Sequence, residues 1–167
     1  YCIAIPSAST IISVLNALFA YFDALVDIYE VEKVKTIGDS YFAASFGCSD
    51  HAHRIMQVAI GMVAAMETLN KLRSTQFKMR VGCCTGEGHV VVLGSITSKV
   101  TFECFGKVVQ KVQELEASSL QPNTVHCCRV MKNLVKDKFE FDLPPPAQQT
   151  TDLLSPSEVT LQQQEKR

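Results

Sequence analysis

The sequence predicts an α+β domain in which helices pack on a mainly antiparallel sheet. Segments with apolar residues every three or four positions alternate with short apolar runs that are joined by glycine-containing turns. The order helix, hairpin, helix, hairpin, helix, strand favours antiparallel pairing, because strands joined by a tight turn run in opposite directions. With 167 residues and 47% hydrophobic content, the chain is long enough for one domain with a packed core.

Four helices are predicted from the spacing of the apolar residues. In the first, an apolar side chain recurs every three or four positions between Ile11 and Val26, as in an amphipathic helix. Ser7 or Ser9 suits the N-cap of this helix, because a serine hydroxyl can accept a hydrogen bond from the first turn. The predicted helices are Ser9 to about Glu30, Ser49 or Asp50 to about Arg73, Lys107 to Ser118, and Lys132 to Lys138.

Two β-hairpins are predicted between the helices. Val31–Ile37 and Tyr41–Phe46 flank Gly38-Asp39, and glycine as the first residue of a two-residue loop suits a type II′ turn. The second hairpin turns tightly at Thr85–Gly88. Its strands and the remaining extended segments are Met79–Cys84, His89–Leu93, Phe102–Phe105 and Thr124–Cys128.

The composition of the chain changes after Leu143. Pro144-Pro145-Pro146 is followed by a stretch rich in glutamine, threonine and serine. Such a stretch cannot bury enough apolar surface to offset the entropy lost on ordering. We therefore predict a domain over residues 1–143 and a tail or linker over residues 144–167.

Charge and hydrophobicity exclude two kinds of partner. A formal net charge of -1 provides no basic face for a nucleic-acid backbone, so nucleic-acid binding is not expected. The longest apolar runs fall short of a bilayer span, so direct membrane insertion by this segment is not expected. No signal peptide is visible, and Tyr1 is not a usual first residue, so upstream sequence is expected to have been removed.

The seven cysteines are odd in number and contain no CxxC pair. This pattern disfavours a disulfide framework or a zinc site and predicts free thiols in a reducing compartment, the cytoplasm. Cys83-Cys84 and Cys127-Cys128 lie in strand-like runs, where neighbouring side chains point to opposite faces.

Five segments resemble, in the same order, the catalytic domain of class III adenylyl and guanylyl cyclases. The most specific is Val31–Ser45, which contains the sequence KVKTIGDSY of the family's hairpin. Val14–Asp23 is similar to the family's preceding helix, LLNxLFxxFD. The other segments are His51-Ala52, Met79–Gly86, which resembles RIGIHTG, and Phe105-Gly106 before the family's interface helix. Together the segments cover about Ser7 to Phe141.

The resemblance implies a ferredoxin-like nucleotide cyclase fold that works as a head-to-tail dimer with active sites between the subunits. In the family, two aspartates hold two Mg²⁺ or Mn²⁺ ions, and an Asn and an Arg stabilise the transferring phosphate. One ion lowers the pKa of the ribose 3′-hydroxyl, and both neutralise the triphosphate as pyrophosphate leaves. The family's N-terminal strand, with its first aspartate, is expected upstream of Tyr1. Its C-terminal hairpin is not recognisable after Phe141.

Three residues match positions that bind metal or read the purine in the family. Asp39 matches the second metal-binding aspartate, although turns favour aspartate in any protein. Lys35 stands where adenylyl cyclases have lysine and guanylyl cyclases have glutamate, and Glu103 stands where the former have aspartate and the latter usually cysteine. A lysine can donate to adenine N1 and a carboxylate can accept from the 6-amino group, so ATP is favoured over GTP. Alternatively, Lys35 lies with Lys33 on a solvated face and Glu103 lies in an exposed loop.

The interface helix departs from the family pattern at two catalytic positions. Gln110 replaces the Asn and Glu114 replaces the Arg, and residues four apart share one helix face. At about 4 Å and an effective dielectric constant of about 20, Glu114 would repel one unit of phosphate charge by about 4 kcal/mol. A homodimer of this chain is therefore expected to be nearly inactive.

Three other features invite a catalytic interpretation. Gly86-Glu87-Gly88 lacks the lysine and the following helix of a Walker loop, so a tight turn is predicted. His89 and His126 are isolated in strand-like runs, which favours structural histidines over catalytic bases.

Two functional hypotheses follow from the resemblance. In the first, the chain is the metal-bearing half of a heterodimeric adenylyl cyclase, inactive alone, which converts ATP to cyclic AMP and pyrophosphate with a second cyclase domain. In the second, it is a catalytically inactive pseudocyclase that pairs with a cyclase partner and regulates it. Both place the chain in the cytoplasm, where it could be the cytosolic domain of a larger membrane-associated protein.

Overall fold

A computed structural model describes residues 7–94, 101–142 and 159–161 of the chain. Helices and strands alternate in these residues, as the apolar periodicity predicts. In chain order the elements are α1 Ala8–Ile28, β1 Glu32–Ile37, β2 Ser40–Ala44, α2 His51–Arg73, β3 Val81–Cys83, β4 His89–Leu93, β5 Thr101–Phe105, α3 Lys107–Ser118, β6 Val125–Cys127, α4 Arg129–Val135 and β7 Val159–Leu161.

The strands form three small sheets rather than one continuous sheet. β1 pairs with β2 and β4 pairs with β5, both antiparallel, while β6 lies between β3 and β7. The β3–β6 pairing is parallel and the β6–β7 pairing is antiparallel. The predicted α+β class with mainly antiparallel strands is confirmed.

The first predicted hairpin is confirmed together with its turn. Ile37 is paired with Ser40, so Gly38 and Asp39 form a two-residue loop. Gly38 has φ +61°, whereas Asp39 does not have positive φ, and this combination fits a type II′ turn. Helix α1 begins as predicted, because the Ser7 hydroxyl accepts a hydrogen bond from the Thr10 backbone N–H at 3.2 Å.

The second predicted hairpin is wrong. β3 pairs with β6 in parallel and β4 pairs with β5, so the Thr85–Gly88 segment joins two different sheets. The physical reason is burial: Cys83 of β3 and all of β6 lie in the core, whereas every residue of β4 is exposed. Pairing with β6 satisfies the backbone hydrogen-bonding groups of β3 inside the core. Pairing with the exposed β4 would instead place β3 at the surface.

Helix α2 is buried on two faces and separates two cores. The α1 core joins one face of α2 to α1 and the β1–β2 hairpin, and the α4 core joins the other face to β3, β6, α3 and α4. Fully burying one large apolar side chain stabilises a fold by about 1.5–3 kcal/mol, so both clusters contribute to folding. In the α4 core, side chains exposed by no more than 2% include Met56, Val63, Leu115, Val125, Met131 and Phe139.

Helix α1 corrects the expectation that every apolar run is too short for a bilayer. Its 21 residues, Ala8–Ile28, are long and apolar enough to cross a membrane by length and composition. The helix buries Val14, Leu18, Phe22 and its neighbours in the α1 core. Because a buried core helix meets the same criterion, this feature is weak support for a membrane span.

The C-terminal part of the chain differs from the sequence prediction in two places. Helix α4 spans Arg129–Val135 instead of Lys132 to Lys138. It begins earlier because the Cys128 sulfur caps it by accepting a hydrogen bond from Met131 N–H at 3.4 Å. Within the stretch predicted as tail or linker, Val159–Leu161 forms a strand paired with β6. The boundary at residue 143 lies outside the described residues and stays a prediction.

Candidate functional site

The tip of the β1–β2 hairpin carries the candidate metal ligand Asp39. The turn places this residue at the exposed end of the hairpin. Its carboxylate makes no hydrogen bond or ion pair within residues 7–94, 101–142 and 159–161. The carboxylate is therefore available to a cation.

A cleft of about 1400 Å³ lies beside this tip and is lined by strands β2 and β3. In the part of the chain that the structure describes, β2 is paired only with β1 and β3 only with β6. Each of the two strands therefore keeps one edge without a partner. Lys35, Asp39, Val108 and residues 86–88 also line the cleft, so the hairpin and the start of α3 approach each other there.

Lys35 and Glu103, the two predicted purine-reading residues, contact each other. Lys35 Nζ lies 2.5 Å from Glu103 Oε2, and their side chains are 34% and 26% exposed. Glu103 lies in strand β5, so the alternative that it belongs to an exposed loop is wrong. The contact places one hydrogen-bond donor and one acceptor side by side at a half-exposed position.

The residues described by the structure do not by themselves form the two-aspartate metal site that the resemblance implies. Asp39 supplies one carboxylate, whereas Mg²⁺ sites for nucleotides combine one or two carboxylates with substrate phosphates. No group of three or more His, Cys, Asp or Glu side chains among these residues could hold a metal ion. A metal ion at Asp39 would need further ligands from another segment or from the substrate.

Helix α3 carries Gln110 and Glu114 on its exposed face. Both residues are exposed, and neither lines the cleft that contains Asp39. Glu114 is close to Lys111 in the same helix, with 3.5 Å between Oε2 and Nζ, and its side chain is 67% exposed. Within one chain, α3 therefore presents these two positions away from the cleft.

Close packing on β3 fixes the position of α3. A Cβ added to Gly82 would lie 2.7 Å from the Val112 carbonyl oxygen and 2.8 Å from Glu116 N. Gly86 and Gly88 lie against the side chain of Val108 in the first turn of the helix, where an added Cβ would come within 3.3 and 3.0 Å of it. Since backbone atoms cannot yield as side chains can, only glycine permits this approach at position 82.

The Gly86-Glu87-Gly88 segment is thus a packing contact for α3, which corrects its prediction as a hairpin turn. Thr85, the residue before this segment, is held by His51 at the start of α2. His51 Nε2 lies 2.9 Å from Thr85 Oγ1, and His51 Nδ1 lies 2.9 Å from the Cys48 carbonyl oxygen. His126 is buried in β6, as expected for a structural histidine. His89 is exposed at the start of β4.

Sequence reasoning missed a polar cluster that holds the hairpin on α1. Asp23 accepts hydrogen bonds from Lys33 Nζ at 2.7 and 2.9 Å and from the Tyr41 hydroxyl at 2.7 Å. Burial and the bond to Asp23 raise the pKa of Tyr41. Partial burial opposes ionisation of Asp23, but the bonds from Lys33 and Tyr41 lower its pKa overall. The sequence contained a signal for Asp23, because this residue ends the helix segment that resembles the family.

The profile of the adenylate and guanylate cyclase catalytic domain matches residues 2–148 of the chain. The match includes α1, the β1–β2 hairpin and α3, the elements that surround the cleft. The chain therefore belongs to this family, whose activity is the synthesis of cyclic nucleotides.

Relatives occur among both guanylyl and adenylyl cyclases. The chain is 30% identical over 142 residues to a membrane guanylyl cyclase of Dictyostelium discoideum, covering 81% of this chain and 9% of that protein. It is 29% identical over 140 residues to adenylate cyclase type 9 of Gallus gallus, covering 81% of this chain and 10% of that protein. The chain thus spans only a small part of the length of these relatives.

Solved structures of cyclase domains share the fold. The dimeric guanylyl cyclase domain of the RhoGC fusion protein from Blastocladiella emersonii superposes with a TM-score of 0.80 at 21% identity, covering 96% of this chain and 87% of that one. The guanylate cyclase domain of RhGC from Catenaria anguillulae, in complex with GTP, gives 0.78 at 22% identity, with coverage of 96% and 87%. The class III cyclase fold predicted from the sequence is confirmed.

Proposed function

We propose that this chain is the metal-bearing half of a two-domain adenylyl cyclase, which converts ATP to cyclic AMP and pyrophosphate only when a second cyclase domain completes the site. The contact between Lys35 and Glu103 carries this proposal. An ammonium beside a carboxylate matches the acceptor at adenine N1 and the donor at the 6-amino group, whereas guanine presents the opposite pattern. Because the pair is partly exposed, its mutual attraction is worth only about 0–1 kcal/mol, so a purine can separate the two side chains at low cost.

Helix α3 supports the requirement for a second domain. Gln110 and Glu114 are exposed and lie away from the cleft that contains Asp39, so they could act only on a nucleotide bound by another chain. At those positions they offer an amide and a negative charge instead of the family's Asn and Arg. The partner must therefore supply the residues that stabilise the transferring phosphate.

The β4–β5 pair supports the same conclusion as an interaction surface. Val92, Leu93, Phe102 and Phe105 are each 46% to 58% exposed on this two-stranded sheet. A two-stranded sheet with exposed aromatic and branched side chains on its surface is marginal in water and is stabilised when another surface covers it. A second cyclase domain is the partner that fits the family, as in the dimeric RhoGC domain.

The cleft between β2 and β3 offers a place for a strand that carries the second metal-binding carboxylate. The strand that the resemblance places before α1 would carry the other metal-binding aspartate. The unpaired edges of β2 and β3 can both bond the backbone of one inserted strand. With that strand in place, Asp39 would hold Mg²⁺ or Mn²⁺ with a second carboxylate, and the ion would neutralise charge on the triphosphate.

The replacement of the family's Asn and Arg by Gln110 and Glu114 favours the second candidate function, a pseudocyclase that only pairs with and regulates a cyclase. A mixing experiment separates the two. The chain, extended by an N-terminal strand carrying the aspartate, is assayed with Mg²⁺ or Mn²⁺ and ATP or GTP, alone and with a cyclase half that carries the Asn and Arg. We expect no activity above a denatured control for the chain alone and cyclic AMP from the mixture. A partner that binds without product formation would support the pseudocyclase.

Nucleotide preference tests the contact between Lys35 and Glu103. Replacing both residues, Lys35→Glu with Glu103→Cys, installs the pair that the resemblance assigns to guanylyl cyclases and avoids two facing carboxylates. We expect the ratio of kcat/KM for ATP over GTP in the mixed enzyme to fall about 10–100-fold, since a paired base contact discriminates by about 1–3 kcal/mol. Lys33→Gln is the matched control, because Lys33 bonds Asp23 instead of facing Glu103. An unchanged ratio would contradict the assignment.

A further inference from the structure

We propose that Cys84 and Cys128 form a reversible disulfide when the protein meets a peroxide, which makes this pair a site of oxidative modification at the junction of β3 and α4. The proposal concerns the thiols themselves and is independent of the nucleotide that the chain binds.

The pairing of β3 with β6 brings the two residues together. Cys83 is directly opposite Cys127 in the last register position of this parallel pair, and Cys84 and Cys128 are the residues that follow each strand. The Cys128 backbone N–H donates to the Cys83 carbonyl oxygen at 3.1 Å, which holds the two chain segments together at this point. Neighbouring strands lie about 4.8 Å apart, within the Cα separation of about 4.4–6.8 Å that a disulfide spans.

The side chains of Cys84 and Cys128 influence each other's ionisation. The hydrogen bond that the Cys84 thiol can offer to a Cys128 thiolate lowers the pKa of Cys128 and raises the pKa of Cys84. With both thiols protonated, Cys84 Sγ donates to the Thr85 carbonyl oxygen at 3.6 Å. Backbone N–H groups, including that of Met131 at 3.4 Å, also donate to the Cys128 sulfur and favour its thiolate. A thiolate beside a thiol is the arrangement in which one sulfur is oxidised and the other resolves it.

The neighbouring pair, Cys83 and Cys127, lacks these properties. Both thiols are buried, and burial raises the pKa of each, that of Cys127 to about 12. Cys83 and Cys84 both line the cleft, but only Cys84 is half-exposed, and the Cys128 sulfur lies buried behind it. A small oxidant from the cleft therefore reaches Cys128 past Cys84. Reactivity should therefore be confined to the pair Cys84 and Cys128.

The chemistry needs one equivalent of hydrogen peroxide. The Cys128 thiolate attacks a peroxide oxygen, the O–O bond breaks, hydroxide leaves, and the sulfur is oxidised by two electrons to a sulfenic acid. Cys84 then attacks the Cys128 sulfur, the S–S bond forms, the S–O bond breaks, and water leaves with the Cys84 proton. A dithiol reductant reverses the bond by exchange.

Peptide mapping of the whole chain tests the proposal. The protein is treated with hydrogen peroxide, unreacted thiols are blocked with iodoacetamide, and tryptic peptides are sequenced by mass spectrometry. We expect a cross-link between the peptide containing Cys84 and that containing Cys128, with fragment ions that place the bond on these two residues. The cross-link should disappear on reduction with dithiothreitol.

Variants make the assignment specific. Cys84→Ser and Cys128→Ser should each lose the cross-link, and Cys84→Ser should leave a sulfenic acid at Cys128 that dimedone traps. Cys104→Ser, which removes another half-exposed thiol, is the control and should keep the cross-link. A bond mapped to Cys83 or Cys127, or thiols that all remain blocked by iodoacetamide in the folded wild-type protein, would overturn the proposal.

Discussion

Asp39→Asn should abolish cyclic AMP formation by the extended chain paired with a complementary half, while leaving the pairing intact. An amide keeps the shape of the type II′ turn but removes the charge that holds a divalent ion against a triphosphate. Loss of even an outer partner of a metal ligand costs about 10–100-fold in activity or metal affinity, so loss of a ligand should cost more. Initial rates with Mg²⁺ and Mn²⁺ measure the effect, and gel filtration or analytical ultracentrifugation measures the pairing.

Asp137→Asn is the matched control, because Asp137 is also an exposed aspartate but lies after α4, outside the cleft lining. It should leave both the rate and the pairing unchanged. Substantial turnover by the Asp39→Asn pair would show that this carboxylate is an ordinary turn residue. In that case Mn²⁺ affinity, measured by titration calorimetry, should also be unaffected.

Gln110→Asn combined with Glu114→Arg should create activity in a dimer of the extended chain with itself. The double change restores the two residues that the family uses on the phosphate. Replacing Glu114 removes a repulsion of about 4 kcal/mol, or roughly three orders of magnitude in rate. An arginine in phosphoryl transfer adds on the order of 10³–10⁵ in rate. Cyclic AMP accumulation by the purified dimer measures the gain.

Glu114→Gln separates the two contributions to that gain. It removes the negative charge without adding a guanidinium, so its activity should lie between those of the parent chain and the arginine variant. Gln110 and Glu114 lie on an exposed helix face, so the substitutions at these two positions should not disturb the fold. A folded, dimeric arginine variant without activity would contradict the assignment of position 114 to the phosphate.

The sequence predicted local elements accurately wherever a local pattern decides them. The first helix and its serine cap, the Gly38-Asp39 turn and the interval Lys107–Ser118 were all predicted, because capping, turn type and apolar spacing depend on neighbouring residues. Helix α4 was placed three residues late, since a cysteine sulfur is an unusual cap and gives no sequence signal.

Pairing between distant segments was predicted less well. A tight turn between β3 and β4 suggested a hairpin, but burial of Cys83 draws β3 to β6 instead. Helix α2 packs on the α1 core through one face, which includes Val58, Met62 and Met66. Its second buried face depends on Ala52, Met56 and Ala59, whose small or flexible side chains leave little contrast in the sequence.

The sequence by itself determined the family, the α+β class and the identities of the candidate site residues, because the family motifs are contiguous runs. Only the tertiary structure decided how those residues are grouped. Strands β1 and β5 bring Lys35 to Glu103 across 68 positions of sequence, and α3 turns Gln110 and Glu114 away from the cleft beside Asp39. The same folding places Cys84 beside Cys128. Such contacts depend on which faces are buried together, and burial is a property of the whole packed chain.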